Sequence, residues 1–329
     1  MIKKIIIFYF IFLFSVSIIS TLSAQTGDAG QPGEFLRYGV GARALGMGHA
    51  FTALANDASA VYYNPAGLMG VERKEFTTMY SNLFYDSRYT YMAVALPRTF
   101  TGNSNALGFG WVNLTMANFD GRDIGNNQTG NFDIYQQAFM LSGAREWVGT
   151  WGILNYGVNL KLINQGFPGY QAEQGWGFGA DVGATFKPIN APLFKIFALR
   201  FLMPLQLGVS LQNLLPPRVG VGENKKDPYP FIFRWGAGYG LHVKDWHVQL
   251  LYDQEKYSGR SIGHYAGLET NLPFLPYTES YAPKFRFGYN SRTKRPGFGA
   301  GFKFGFAGNA NIRLDFAYSL KPQDELKND

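Results

Sequence analysis

Residues 233–243 read Phe-Arg-Trp-Gly-Ala-Gly-Tyr-Gly-Leu-His-Val, so an apolar residue stands at every second position. Between them stand Arg234, three glycines and His242. Because successive side chains of a β-strand point to opposite faces, this stretch predicts a strand with one apolar face and one polar, glycine-rich face. We expect the apolar face to point outward and Arg234 and His242 to point inward.

The same two-residue period recurs along most of the chain and predicts thirteen strands. Many of them have the length that a tilted strand needs to cross the hydrocarbon of a membrane. Bacterial single-chain barrels have even strand numbers, so either residues 193–201 hold another strand, or the N-terminal segment contributes one, or the wall closes irregularly. The thirteen candidates are residues 75–85, 88–97, 105–116, 132–145, 150–163, 175–187, 204–213, 231–243, 245–253, 261–270, 283–292, 297–306 and 310–320.

The N-terminus has the pattern of a secretory signal peptide. Lys3 and Lys4 precede an apolar run over residues 5–19, and Ala24 offers a small residue for cleavage before Gln25. A membrane anchor is the alternative, but the run is short for a spanning helix, and no later run is long enough for one. We therefore expect residues 1–24 to be removed, which leaves a soluble secreted protein or an outer-membrane barrel.

Composition favours the barrel. The chain is 46% hydrophobic and 17% aromatic, yet its mean hydropathy is only -0.12, because apolar residues are spread through alternating strands. There is no cysteine, which excludes disulfides and thiolate metal sites. The formal net charge is +7, or +5 without Lys3 and Lys4. This modest excess predicts outer-membrane lipid as a partner and no nucleic acid.

The connections between strands also fit a barrel. Residues 118–131, 164–174 and 214–228 form long connections, whereas 146–149 and 244–245 form tight ones. Long loops on one side and short turns on the other are typical of outer-membrane barrels. We expect a non-barrel segment at 25–73, a β-barrel at 74–320 and a polar tail at 321–329.

Three motifs in the N-terminal segment suggest a family. They are Gly-Ala-Arg-Ala-Leu-Gly-Met-Gly-His-Ala-Phe (41–51), Ala-Asn-Asp-Ala-Ser-Ala (55–60) and Tyr-Asn-Pro-Ala-Gly-Leu (63–68). Together with Leu-Gln-Asn-Leu (211–214) and Arg-Leu-Asp-Phe-Ala-Tyr (313–318), this order resembles the PorV/PorQ family, which is related to FadL-type outer-membrane transporters of hydrophobic compounds.

The resemblance implies an all-β fold: a closed antiparallel transmembrane β-barrel of about 14 strands in the bacterial outer membrane, with residues 25–73 as a plug, or hatch, in its lumen. It also implies a role in protein export of the type IX secretion kind, with secreted protein clients or secretion subunits as partners. The alternative is FadL-like transport of hydrophobic small molecules.

The plug motif has a physical interpretation of its own. Glycines permit close backbone approach or positive φ, Asn and Asp bond nearby amides in turns, and proline moves the preceding residue out of the helical region. Such residues either shape a static plug or form a hatch that defines a passage, and the apolar Phe51, Leu54 and Leu68 are candidates for a ligand pocket. The motif residues are Gly46, Gly48, Asn56, Asp57, Asn64, Pro65, Ala66 and Gly67.

The sequence does not favour an enzyme. It has four histidines and no Gly-x-Ser-x-Gly elbow, so we expect no catalytic group and no cofactor. A tight turn should set His242 opposite His247, but a third ligand is not evident, so we predict no metal site. Charged and polar residues of the inward phase should line the lumen and favour anionic or amphipathic passengers. They are Arg234, His242, His247, Arg286, Lys303, Arg313 and Asp315, with Lys284 and Arg292 in the same phase.

Overall fold

The computed structural model describes residues 32–83, 86–98, 104–168, 174–189, 204–220, 227–243, 245–257, 260–271, 283–305 and 311–320. The predicted signal peptide (1–24), the predicted polar tail (321–329) and the candidate strand at 193–201 lie outside the described residues. None of the helices in the described part of the chain combines the length and the apolar character that a membrane crossing requires.

Thirteen strands form one antiparallel sheet in which each strand is hydrogen-bonded to the next along the chain. They are β1 (Glu75–Asn82), β2 (Ser87–Leu96), β3 (Asn105–Arg122), β4 (Gln128–Gly149), β5 (Gly152–Gly166), β6 (Gln174–Pro188), β7 (Leu205–Leu215), β10 (Ile232–Val243), β11 (Trp246–Tyr257), β12 (Ile262–Asn271), β13 (Lys284–Asn290), β14 (Arg295–Gly305) and β15 (Asn311–Ser319). Between β7 and β10, β8 (Arg218–Val219) and β9 (Asp227–Pro228) form a separate pair.

Each of the thirteen predicted strands corresponds to one strand of this sheet, but several predicted connections are wrong. Most of residues 118–131 is strand, because β3 and β4 continue past a register shift and pair Phe119 with Phe132. Asn118 takes a φ of 64° at this shift, and the two phenylalanine rings stack with centroids 5.6 Å apart. Residues 146–149 also belong to β4, and the turn there is residues 150–151.

The order of the strands defines two ends of the sheet. The connections β3–β4, β5–β6 and β7–β10 lie at one end, hereafter the hairpin end, and the two-residue connections β4–β5 and β10–β11 lie at the other, hereafter the turn end. This separation is incomplete, because residues 189–204 and 272–283 connect strands at the turn end.

The two edge strands of the sheet, β1 and β15, are its first and thirteenth members. They run in the same direction, because every second strand of an antiparallel sheet does. No backbone ladder between β1 and β15 is present among the described residues. Their side chains do meet, since Arg313 Nη2 of β15 donates to Glu75 Oε1 of β1 at 3.2 Å. The two edges therefore approach each other.

The two faces of the sheet are opposite in character to those of a water-soluble sandwich. On β5, Val158 and Leu160 are 48% and 43% exposed, whereas Asn159 and Lys161 between them are 1% and 5% exposed. On β10, Phe233 is exposed and Arg234 is buried. The apolar phase faces outward and the polar and glycine phase faces inward, as predicted.

An interior segment, residues 33–71, packs against the inward face. It contains two 3-10 helices (Glu34–Tyr38 and Pro65–Gly70) and the short helices α1 (Ala42–Gly46) and α2 (Ala60–Tyr63). Inward glycines give it room: a Cβ at Gly208 of β7 would lie 2.5 Å from a backbone oxygen of the segment, and one at Gly288 of β13 would lie 2.0 Å from a backbone nitrogen. One short segment touches the same face from β3 to β15, so the sheet curves around it.

Candidate functional site

Asn64 joins the interior segment to the wall. It is fully buried, and its φ of −160° is the extended conformation expected before Pro65. Its Nδ2 donates to the carbonyl of Thr52 at 2.9 Å and to that of Ala184 in β6 at 3.2 Å, while Oδ1 accepts from the Ala66 amide at 3.2 Å. One side chain thus caps a 3-10 helix and fixes it to both the segment and the sheet.

The motif glycines are needed for close approach. Gly48 has a φ of 62°, and a Cβ there would lie 2.4 Å from the backbone nitrogen of Tyr289. A Cβ at Gly46 would lie 3.0 Å from Gly299 Cα, and one at Gly67 would lie 1.9 Å from the Ala55 carbonyl oxygen. Positive φ, one of the two reasons given for the motif glycines, does not apply to Gly67: this residue lies within a 3-10 helix, and lack of space is what requires glycine there.

Asn56 and Asp57 form a turn that binds a buried arginine. As expected for such a turn, Asp57 Oδ1 accepts from the Ser59 amide at 3.0 Å, and it also accepts from the Ser59 hydroxyl. Arg43 Nη1 donates to Asn56 Oδ1 at 2.7 Å and to Asp57 Oδ2 at 3.1 Å. Burial alone would raise the pKa of Asp57, but Arg43, Arg313 and the Ser59 hydroxyl outweigh burial and hold that pKa below its usual value.

Arg43 begins a closed ring of ion pairs, hereafter the charge ring. Arg43 donates two hydrogen bonds to Glu269, from Nε to Oε2 at 2.9 Å and from Nη2 to Oε1 at 3.0 Å. Arg286 Nε donates to Glu269 Oε2, Arg286 Nη1 to Asp315 Oδ1 and Arg313 Nε to Asp315 Oδ2, each at 2.7 Å. Arg313 Nη2 closes the ring at 3.4 Å from Asp57 Oδ2. Its six members are Arg43, Glu269, Arg286, Asp315, Arg313 and Asp57.

The charge ring anchors the interior segment where the edges of the sheet meet. Two members belong to the segment, and the others belong to β12, β13 and β15. Arg286 is 1% exposed and Glu269 is 3% exposed, so these charges are compensated mainly by one another. Since Arg313 also contacts Glu75 of β1, the ring connects the segment to both edge strands.

The other predicted inward residues are spread over the interior. Arg234 is buried, pairs with Glu255, and lies over the rings of Tyr63 and Tyr265 at 5.8 and 5.3 Å. Lys303 is partly buried opposite Arg313.

The predicted histidine pair exists at the turn end. His242 and His247 are register partners with ring centroids 4.3 Å apart, and His242 is exposed. Across the described residues, no group of three or more His, Cys, Asp or Glu side chains could hold a metal ion.

The candidate pocket residues belong to the apolar core. Phe51 and Leu68 are fully buried and Leu54 is 8% exposed. The Phe51 ring packs edge-on against Tyr63 at 5.4 Å, and the Arg43 guanidinium lies 5.3 Å from the ring centroid of Phe51. These three side chains hold the segment together.

Two anchors of the segment were not among the predicted site residues. Asp253 of β11 accepts from the amides of Phe51 and Thr52 at 2.9 and 2.8 Å. Arg43 lies in the first motif and is the partner of Glu269. Asp253 could have been found from its place in the inward phase of β11, because a buried carboxylate needs hydrogen-bond donors.

His49 is a partly buried neutral histidine of the segment. It takes a φ of 71°, and its ring lies against Gly39 and 6.2 Å from the ring of Tyr265. Burial, followed by the charge of Arg234, lowers the pKa of His49 to about 3. This imidazole is therefore uncharged at neutral pH.

These features define a class of all-β protein in which an antiparallel sheet with an apolar outer face curves around a buried, charge-anchored N-terminal segment. A sequence model of the uncharacterised protein family UPF0164 matches residues 16–189, more than half of the chain. The chain belongs to this family. No curated protein matches the sequence.

Solved structures of similar fold cover nearly the whole chain. The Ralstonia pickettii toluene transporter TbuX is 12% identical with a TM-score of 0.54, and the match covers 87% of this chain and 94% of that chain. The CymD monoaromatic hydrocarbon channel is 13% identical with a TM-score of 0.55, over the same shares of the two chains. At these identities the likeness concerns the fold, and it does not single out the PorV/PorQ family.

Proposed function

We propose that the chain is an outer-membrane β-barrel that transports hydrophobic small molecules in the manner of FadL-type proteins. The observation that carries this proposal is the fold, which matches TbuX over 94% of the length of that chain. TbuX is a toluene transporter and CymD a monoaromatic hydrocarbon channel. The apolar outward face of the sheet supports a location in lipid.

In this proposal the sheet closes where β1 meets β15, and the interior segment is the plug. The contact between Arg313 and Glu75 supports closure at this place. Because the two strands run in the same direction, the closing pair is parallel, which departs from the even-stranded antiparallel barrel predicted from the sequence. Closure would remove the exposed sheet edges that a bilayer does not tolerate.

Transport is favoured over protein export. Export was the role preferred from the resemblance to PorV/PorQ, but neither the family match nor the similar structures support it. The proposal also assigns no catalytic activity to the chain.

Passage between the plug and strands β7, β12 and β13 requires the interior segment to move. Its backbone approaches the wall so closely at Gly208, Gly267 and Gly288 that a methyl group would not fit between them. A passenger the size of one aromatic ring therefore cannot pass at these positions while the segment is docked. We accordingly place the transport step in a state in which part of the segment has moved away from the sheet.

A disulfide lock tests both parts of the proposal. The chain has no cysteine, and Ala53 Cβ lies 3.8 Å from the position of a Cβ at Gly238 of β10, which is the usual separation in a disulfide. Proteoliposomes carrying A53C/G238C should take up radiolabelled toluene when reduced and much less when oxidised, whereas A53C alone should be insensitive to oxidation.

Uptake no greater than in protein-free liposomes, by the wild type and by the reduced variant, would refute the transport function. Uptake that persists in the oxidised, fully cross-linked double variant would refute movement of this part of the segment.

A further inference from the structure

A notch interrupts the outward wall between β6 and β7 near the hairpin end. The β6–β7 ladder shifts register between Val182 and Ala180 and ends at the pair Ala180–Leu215. β6 nevertheless continues to Gln174, paired only with β5 on its other side. Residues 174–179 of β6 thus have one edge that β7 does not cover.

The notch is formed by a specific bend and is not a frayed strand end. Asn213 takes a left-handed φ of 57°, its amide donates to Asp181 Oδ1 at 2.7 Å, and its Nδ2 donates to the Pro230 carbonyl at 2.7 Å. The chain then crosses the inward face of β6, where Cβ atoms at Gly177 and Gly179 would collide with Val219 and Pro217. This strap, residues 216–220, closes the notch from behind.

The space in the notch has an amphipathic lining. A cavity of about 420 Å³ is bounded by Trp176, Phe178, Leu215, Pro216 and Arg218, together with Gly177. Trp176, Phe178 and Leu215 are each about half exposed, at 48%, 52% and 50%. Arg218 is exposed, and no ion pair joins it to a carboxylate whose side chain the structure describes. The notch therefore presents aromatic and aliphatic surface beside one cation.

We infer that the notch binds one anionic phospholipid from the surrounding bilayer, with Arg218 on the headgroup phosphate and Trp176 and Phe178 against the glycerol and upper acyl region. The choice of occupant follows from position and charge. The notch opens on the apolar outward face, where the proposed barrel meets lipid, and a guanidinium matches a phosphate in geometry and charge. Tryptophan is suited to the level of the headgroups. The inference rests on the proposed membrane barrel.

The test is native mass spectrometry of the detergent-purified protein, titrated with phosphatidylglycerol or with phosphatidylcholine of the same acyl chains. One phosphatidylglycerol should bind more tightly than the rest, and R218Q should weaken that binding about tenfold, the cost of losing one charge-assisted hydrogen bond. The matched control is R88Q, because Arg88 is also an exposed arginine on the outward face at the hairpin end and lies in a regular ladder. R88Q should change the affinity less than about twofold.

A second readout locates the lipid without relying on folding of the arginine variant. The emission of Trp176 in nanodiscs is the difference between the wild type and W176F. Phosphatidylglycerol with brominated acyl chains should quench this emission more strongly than phosphatidylcholine with the same brominated chains. Equal loss of binding in R218Q and R88Q, or equal binding and quenching by the two lipids, would overturn the inference. Failure of the wild type to insert into nanodiscs would instead refute the membrane barrel itself.

Discussion

Among single residues, Asn64 links three parts of the structure. Its side-chain amide makes hydrogen bonds to the segment and to the 3-10 helix, both buried, and a partly buried one to β6. The motif around it was predicted to shape either a static plug or a hatch. In both cases the contacts of Asn64 stabilise the segment in its position against the sheet. Asn64 should therefore contribute to stability as well as to any transport.

We expect Asn64→Ala to lower the free energy of unfolding by about 2–4 kcal/mol, because it leaves buried carbonyl and amide groups without partners. Asn82→Ala is the control, since Asn82 is exposed at the end of β1. Guanidinium unfolding in detergent, followed by tryptophan emission, measures both variants. Equal stability of the two variants would show that the buried amide does not hold the segment.

His49 makes the stability depend on pH. Its folded pKa of about 3 lies below the ordinary value of 6.5, so the unfolded chain binds more protons between these values. The stability that neutral His49 provides is complete above about pH 6.5 and is lost as the pH falls toward 3. His49→Asn, which suits the left-handed backbone, should remove this part of the pH dependence.

Between pH 7.5 and 4.5, the wild type should lose about 2–3 kcal/mol more stability than His49→Asn. Unfolding curves at the two pH values give the difference directly, and Asp57 and the other carboxylates cancel because both proteins contain them. Parallel losses in the two proteins would mean that His49 is already solvated or charged in the folded state.

At the scale of elements, the charge ring connects the interior segment to β12, β13 and β15. Glu269 accepts from two arginines of the ring, so Glu269→Gln should cost about 3–5 kcal/mol by leaving Arg43 and Arg286 undercompensated. Glu146→Gln is the matched control. Glu146 pairs with the half-exposed Arg98, a contact worth less than about 1 kcal/mol.

Thermal unfolding of the two glutamine variants in the same detergent separates a buried network from a surface pair. If Glu269→Gln melts with the wild type and Glu146→Gln, the ring does not anchor the segment. If it melts early and the segment also becomes sensitive to protease, the anchor is confirmed.

Strands were the easiest elements to predict from this sequence, because a sheet between apolar and polar surroundings forces a two-residue period. Val158, Asn159 and Leu160 show that period without exception. The extension of β3 and β4 was missed because the period breaks at Asn118, where a left-handed residue shifts the register. Composition there resembles a loop, although the backbone remains paired.

The site was only partly predictable. The motif glycines and Asn64 could be identified because turns and close approach restrict residue type locally. Four members of the charge ring were also singled out, namely Asp57, Arg286, Arg313 and Asp315. The ring itself could not be predicted, because Arg43 and Glu269 are 226 positions apart and no local pattern connects them. The sequence also could not decide between close approach and positive φ for Gly67, since its neighbour Ala55 is brought to it only by the tertiary fold.

On the scale of the whole molecule, long strands such as β5 and β10 carry exposed apolar side chains on the outward face, while charges and the interior segment lie inside. Part of the inward face is apolar as well, as at Tyr91 of β2 and Val112 of β3. Aromatic side chains of the two edge strands, such as Phe76 of β1 and Tyr318 of β15, are 65% and 68% exposed, more than those on interior strands such as Phe178 at 52%. Such a surface is stable in lipid and would aggregate in water. The stability of the folded protein therefore depends on a bilayer being the solvent of the outward face.

Spin-label accessibility along β5 of the protein reconstituted in bilayers tests this most directly. Single cysteines at residues 156–162 in the cysteine-free chain would carry the label, and its collisions with oxygen and with a water-soluble nickel chelate would be measured. We expect high oxygen and low chelate accessibility at Tyr156, Val158, Leu160 and Leu162, and low oxygen accessibility at Gly157, Asn159 and Lys161. High chelate accessibility at the first four positions would contradict a lipid-facing outward surface.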